Sequence, residues 1–235
     1  MNYLEGLAEL GVGGAHPGGL KLTKELLKKE SINESTVILD VGCGTGQTAA
    51  YLAGFYQCAV TAVDYNQMMV DKAINRFKLR KLPVQTMKAD ITQLPLKSEE
   101  YDMVISESVI SFTEITRALS EITRILKPGG VFIAIEIVCE RTLRDHEKRM
   151  LTSFYGFTEI QTEEAWKQQL YREGFHHVRV EKPKLKKEEM TLEDTNDFDL
   201  SEKVDEDTFE VLVLHEELME RFKEKLGFRV FRCKL

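Results

Sequence analysis

Val37-Ile38-Leu39-Asp40-Val41-Gly42-Cys43-Gly44-Thr45-Gly46 decides the fold of this chain. An aliphatic, β-branched run enters a turn with glycine at alternate positions, and residues 47–53 follow with helical character. Such a run reads as a buried parallel strand. The glycines let the backbone turn sharply and approach a ligand closely, because no Cβ stands in the way. The helix N-terminus behind the turn offers free N–H groups and partial positive charge. Strand, glycine loop and helix together predict a site for a polar, nucleoside-bearing cofactor.

Alternation continues outward from this stretch. Strands are predicted at Val37–Val41 and at 58–63, 84–88, 101–106 and 130–138, with helices at 45–54, Gln67–Arg80 and 113–126. In the last helix Ile115, Ala118, Leu119, Ile122 and Ile125 share one face. Lys127-Pro128-Gly129-Gly130 stops it. The pattern predicts a parallel sheet covered by helices on both faces. Before it lies a glycine-rich preface around Ala15-His16-Pro17, read as a mobile flap, and a helix over 20–30. After the fifth strand the reading is a charged stretch, a helix capped by Thr162, a strand over His176–Glu181, a charged solvated excursion over 184–207, a helix over 208–226 and a strand over 228–235.

Composition bounds the function. A chain of 235 residues suits one large domain, and 43% hydrophobic with 30% charged residues is ordinary for a globular protein. A net charge of −7 argues against a nucleic-acid partner. No apolar run approaches the roughly 20 residues of a membrane span, and no signal peptide is visible. The four cysteines have neither CxxC nor metal-ligand spacing, so no metal is predicted. The expectation is a cytoplasmic protein, a monomer or homodimer, with reduced thiols and no nucleic-acid or membrane partner.

Acidic residues fall where open α/β sheets bind ligands, at the carboxyl ends of strands. Asp64 ends the second strand, 22 residues beyond Gly42, where a carboxylate accepts two ribose hydroxyls. Asp90 ends the third and can accept from an exocyclic amine; Asp40 and Glu107 stand at two further ends.

With these residues in order, and with Tyr101–Ser106 and Leu126–Gly130 after them, the chain resembles the class I S-adenosylmethionine-dependent methyltransferases over roughly residues 20–180. The resemblance implies a Rossmann-like, doubly wound mixed sheet of seven strands, the last antiparallel, with an N-terminal flap and a C-terminal insertion. It implies one domain over 1–235: flap and helix over 1–30, cofactor-binding core over 31–138, and a substrate-side cap that completes the sheet over 139–235. The implied cofactor is S-adenosyl-L-methionine. Gly42, Gly44 and Gly46 would line its methionine part and Asp40 would orient its ammonium. Asp64 would take the ribose, Met69 would pack near the adenine, Asp90 would hold the adenine amine and Ile91 would cover the ring. Ser106 and Glu107 would meet cofactor and substrate.

Methyl transfer from a sulfonium is an in-line displacement, in which a protein mainly aligns the partners and excludes water. Candidate bases are His16 in the flap, Glu107, and Glu136, which strand alternation also reads as pointing outward. Phe154-Tyr155-Gly156-Phe157 with Trp166 is a candidate wall for an apolar substrate pocket, and His176-His177 lacks a ligand partner. The acceptor is expected to be a small molecule. An NAD-dependent dehydrogenase is the alternative enzyme, although the loop reads GxGxG where a dinucleotide fingerprint needs GxGxxG. A non-catalytic protein that binds the cofactor for regulation is the alternative from another class.

Overall fold

The structure, a computed structural model, describes residues 2–184 and 197–235. Seven strands form one sheet: β1 (Val37–Val41), β2 (Ala59–Asp64), β3 (Gln85–Lys88), β4 (Tyr101–Glu107), β5 (Leu126–Cys139), β6 (His176–Glu181) and β7 (Leu226–Lys234). Their spatial order is β3-β2-β1-β4-β5-β7-β6. The first five pair in parallel, and β7 runs antiparallel to both β5 and β6. The predicted seven-stranded Rossmann-like mixed sheet with an antiparallel last strand is the one observed.

Both faces of the sheet are covered, which is why its central strands read as unbroken apolar runs. On one face the expected stripe of α5 (Ile115–Ile125) is wholly buried, together with Phe132, Trp166 and Phe231. On the other, α2 (Gly19–Leu27), α3 (Gln47–Tyr51) and α4 (Gln67–Arg80) bury Leu26, Ala49 and Phe77 against Ile38, Val60 and Ile105. Truncating a fully buried side chain such as Ile122 to alanine would cost about 2–5 kcal/mol. The chain leaves β1 towards β2 on one side and reaches β4 on the other, so the topological switch point lies between β1 and β4. Their carboxyl ends open the crevice where such sheets bind ligands.

The N-terminal preface differs from its sequence reading. It begins with a helix, α1 (Tyr3–Leu10), closed at its start by a capping box. Asn2 Oδ1 accepts from Glu5 N, and Asn2 N donates to the Glu5 carboxylate. The glycine-rich stretch that follows tucks Val12 and His16 out of solvent. A second unpredicted helix, α6 (Asp145–Tyr155), precedes α7 (Glu163–Arg172), which starts at its Thr162 cap as expected. α1, α6 and the last helix α8 (Glu206–Phe222) share a cluster of Tyr3, Leu151, Tyr155 and Phe222.

The charged excursion predicted over 184–207 falls partly outside the described residues, at 185–196. Residues 197–205, several of them exposed, are fastened to the rest of the chain. They lie along the segment after α1 as a strap, with Gly13 N donating to Asp197 O, Asp199 N to Gly11 O and Ser201 N to Glu9 O. Arg76 Nη1 reaches Asp197 at 2.6 Å, and Lys72 Nζ donates to Glu9 O and Asp199 O. Among the described residues no helix is long and apolar enough to cross a membrane.

Candidate functional site

The loop after β1 is fastened to the neighbouring strand before it does anything else. Gly42 N and Cys43 N both donate to Val63 O, at 2.8 and 3.0 Å. Its glycines then serve three purposes. At Gly42 (φ +69°) a Cβ would sit 2.2 Å from Val109 Cγ2, so the loop passes directly beneath the chain after β4. At Gly46 (φ +78°) a Cβ would strike the Phe77 ring at 2.5 Å, so this glycine lets α3 pack on α4. At Gly44 (φ +53°) a Cβ would meet nothing within 4 Å. Gly44 borders the large cavity over the carboxyl ends of the strands, about 680 Å³. That is within the usual range of small-molecule sites, about 300–1,000 Å³.

Asp40, Gly42, Gly44, Asp64, Met69, Asp90, Ile91, His16 and Glu107 all line this cavity. Gly46 and Ser106 do not. Ser106 lies fully buried in β4, its hydroxyl without a hydrogen-bond partner. Asp64 is positioned by the backbone on both sides: Oδ2 accepts from Gly44 N at 2.9 Å and Oδ1 from Asn66 N at 2.8 Å. Each oxygen keeps lone-pair capacity for a further donor. Burial raises its pKa against the pull of those amides. Asn66 also caps α4, accepting from Met68 N at 2.9 Å, and thereby fixes the helix that presents Met69. Asp90 is exposed at the rim, with Oδ1 held by Thr92 N and Thr92 Oγ1 at 2.8 and 2.7 Å.

Asp40 is the most constrained group of the site. It is 2% exposed, and its Oδ2 has no hydrogen-bond partner. Burial pushes its pKa well above the ordinary carboxylate range, and repulsion from Glu107 and Asp64 adds to the shift; the Ala49 amide opposes it. A buried, unpaired carboxylate beside two others calls for a cation.

The structure brings the two candidate bases together. His16 Nε2 lies 3.5 Å from Glu107 Oε1 and 3.3 Å from Thr23 Oγ1. Thr23 donates to Glu107 Oε1, and Thr48 Oγ1 donates to Glu107 Oε2 at 2.6 Å. A threonine hydroxyl has one hydrogen. With that hydrogen on Glu107, Thr23 can only accept from His16, so Nε2 carries the ring proton and Nδ1 holds a lone pair. Nδ1 is buried and has no partner.

Glu136 does not line the cavity and does not point outward. It is fully buried, and its two oxygens accept from Val109 N, Ile110 N, Ser111 N and Ser111 Oγ. It pins the turn that presents Val109 and Phe112 to the cavity. The aromatic segment 154–157 does not line the cavity either: Phe157 packs behind Phe112, with ring centroids 4.8 Å apart. Trp166 belongs to the core under the sheet and donates to Ile137 O. Among the described residues no group of His, Cys, Asp and Glu could hold a metal ion.

Several lining residues escaped the sequence reading. Tyr65 follows the ribose-type acid directly, and that adjacency was a usable signal. Thr48, together with Leu4 and Leu7 of α1, reaches the cavity only through tertiary packing, and Thr23 reaches Glu107 in the same way. No local pattern marks them.

A family model described as a methyltransferase domain matches residues 39–134. YodH of Bacillus subtilis, an uncharacterized methyltransferase, is 41% identical over 229 residues, 97% of each chain. An O-methyltransferase of Penicillium expansum is 32% identical over 131 residues, which is 54% of this chain and 47% of that one. Among solved structures, a phosphoethanolamine N-methyltransferase of Haemonchus contortus in complex with S-adenosyl-L-methionine superposes with a TM-score of 0.79 at 18% identity. That match covers 99% of this chain and 57% of the other, a likeness of fold.

Proposed function

We propose that this chain, which belongs to the methyltransferase domain family and is an S-adenosylmethionine-dependent methyltransferase, methylates a small-molecule acceptor with His16 as the proton acceptor. One observation carries the reading. A single cavity at the carboxyl ends of β1 and β4 is lined both by Asp40, whose buried Oδ2 has no partner, and by His16, whose buried Nδ1 has none. The first suits a fixed cation, the second a proton in transit.

The residues fit the cofactor. Asp40 Oδ2 would take its ammonium, and the open space at Gly44 admits its amino-acid end. Asp64 retains acceptor capacity for the ribose hydroxyls, Met69 and Ile91 would flank the adenine, and Asp90 would accept from its amine. When bound, S-adenosylmethionine supplies a methyl group already activated as a sulfonium. The chain's own task is then alignment, exclusion of water and removal of one proton. Leu4, Leu7, Val12, Val109 and Phe112 form apolar walls. Glu107, clamped by Thr23 and Thr48, holds His16 in the tautomer that leaves Nδ1 able to accept and stabilises the imidazolium once formed. The chain acts as one domain over 1–235, with 1–30 and 139–235 flanking the core over 31–138. A cytoplasmic setting fits its four free thiols.

The test pairs binding with turnover. Calorimetry with S-adenosylmethionine and S-adenosylhomocysteine should give Kd values on the order of micromolar. Labelled methyl transfer into metabolite extracts should fall about 10²–10⁴-fold in His16→Ala. Glu107→Gln should shift the pH profile of kcat rather than abolish it, because the amide still receives one threonine hydroxyl. Absence of binding by either cofactor form overturns the reading, and full turnover in His16→Ala removes His16 from it.

A further inference from the structure

Resting on the methyl-transfer reading above, we propose that the acceptor is an amphipathic amine: a basic nitrogen on an apolar body, carrying neither phosphate nor carboxylate. The cavity has two differently furnished halves. Asp40, Asp64 and Asp90, at the ends of β1 to β3, meet the needs of an ammonium, a ribose and an adenine amine. The other half is built by the N-terminal segment and the chain after β4. Its walls are apolar, and its charges are again all negative: Glu5, Glu107 and Glu114. No Lys or Arg stands among the described residues lining the cavity.

Two of the cations nearby are engaged elsewhere. Lys72 donates to the carbonyls of Glu9 and Asp199. Arg76 is bound to Asp197 and to the Thr45 carbonyl. Arg117 approaches Glu114 at 3.5 Å, but its side chain is 76% exposed and the pairing is screened by solvent. A cavity ringed by six carboxylates focuses a negative potential that concentrates cations and repels anions. Among the described residues that line it, no Lys or Arg offers a phosphate or carboxylate a counter-charge.

The mouth adds the second half of the specification. Leu4 and Tyr65, which line the cavity, are exposed, as are Met68 beside the lining Met69 and Phe198 and Leu200 of the strap. Phe198 bridges to Val12, and Ser201 Oγ lies 3.2 Å from Met68 Sδ. Val12, Leu7 and Phe112 line the cavity. His16 Nδ1, buried and unpartnered, supplies what a protonated amine needs on arrival. The ammonium passes one proton to Nδ1. The freed lone pair forms the N–C bond as the electrons of the breaking S–C bond go to sulfur. A methylated ammonium, a thioether and an imidazolium result, and charge is conserved.

The experiment uses the full chain saturated with S-adenosylhomocysteine and three sets of ligands with matched bodies. Benzyl, phenethyl and octyl groups are each offered as amine, carboxylate and phosphate monoester, and binding is read by calorimetry. Turnover is read separately with labelled S-adenosylmethionine. At least one amine should bind about tenfold or more tighter than both of its matched anions and should acquire label on nitrogen. In the double variant Glu5→Gln, Glu114→Gln, which keeps a hydrogen-bonding carbonyl at both caps, amine affinity should fall about three- to tenfold. KM should rise with kcat held, and the Kd of S-adenosylhomocysteine should not move. Equal binding across a matched set, tighter binding of an anion, or no binding of any amine overturns the proposal while cofactor binding stands. Failure to bind S-adenosylhomocysteine would overturn the methyl-transfer reading, and this one with it.

Discussion

Replacing Asp40 by asparagine separates what the fold prefers from what the site requires. The carboxylate is 2% exposed, one oxygen has no partner, and Glu107 and Asp64 repel its charge. An uncompensated buried polar group costs about 1–3 kcal/mol. Asparagine has nearly the same shape and no charge, so the ligand-free variant should gain up to about that amount near neutral pH. For a chain of this length that is a Tm rise of roughly 2–12 °C. The sign follows from linkage. The folded carboxyl holds its proton more tightly than the unfolded one, so its stabilising effect is full below the ordinary carboxylate range and is lost as pH rises through the raised folded pKa. The advantage of asparagine should therefore grow with pH. Cofactor binding should respond in the opposite direction. Deleting one partner of a buried charge pair costs about 2–5 kcal/mol, roughly 30- to 4,000-fold in Kd. Native affinity should strengthen as pH rises and Asp40 ionises, and the variant should show a flatter profile. Thermal melts and calorimetry from about pH 5.5 to 8.5, with and without S-adenosylhomocysteine, measure both effects. A variant that melts lower than the native chain, or that binds as tightly, refutes the account of Asp40 as an unpaired charge awaiting a cation.

Gly44→Val should weaken S-adenosylhomocysteine binding by more than about tenfold while costing about 1–3 kcal/mol of stability from its φ of +53°, because the added Cβ points into open space with no protein atom within 4 Å; calorimetry and denaturant melts separate the two effects, and retained affinity would show that the cofactor does not pass this glycine. Glu140 has its pKa lowered to about 2 by Arg229 and Lys182, so it contributes stability above about pH 4.5 that is lost as pH falls towards 2. Glu140→Gln should flatten that acid limb in urea melts, and an unchanged slope would mean that the ion pairs add nothing.

What was legible in the sequence was what local chemistry decides. Thr162 caps a helix within its own turn and α7 begins just after it, and α4 begins at Gln67 as predicted. Asp64 and the glycine loop lie close in sequence and bond directly through Gly44 N. Glu136 was misread because alternation presumes a sheet with an outer face. β5 lies between β4 and β7 with cores on both sides, and a glutamate survives there by accepting four hydrogen bonds. α1 was hidden by its shortness and by Gly6, which lets the helix approach Val211 of α8; a Cβ there would sit 3.1 Å from the Val211 side chain. The Asn2–Glu5 spacing was its one local mark. The strap over 197–205 had none. Its charges read as solvated because nothing in sequence announces that Arg76 and Lys72 wait for it.

That division has a consequence for what relatives can teach. The family model covers residues 39–134, which hold the cofactor loops, Glu107 and Phe112. It does not reach Leu4, Glu5, Val12 or His16, nor the strap that fastens them. On the proposed reading, cofactor recognition rests on residues at consecutive strand ends. On the proposed reading the acceptor meets segments far apart in the chain: the N-terminal helix and loop, which the strap fastens, and the turn after β4. Substitutions in these segments alter the walls and rim of the cavity without touching Asp40, Gly44 or Asp64. A relative aligned only over the central half of this chain therefore bears on the proposed donor site and the turn after β4, while one aligned from α1 to β7 bears on the N-terminal wall as well.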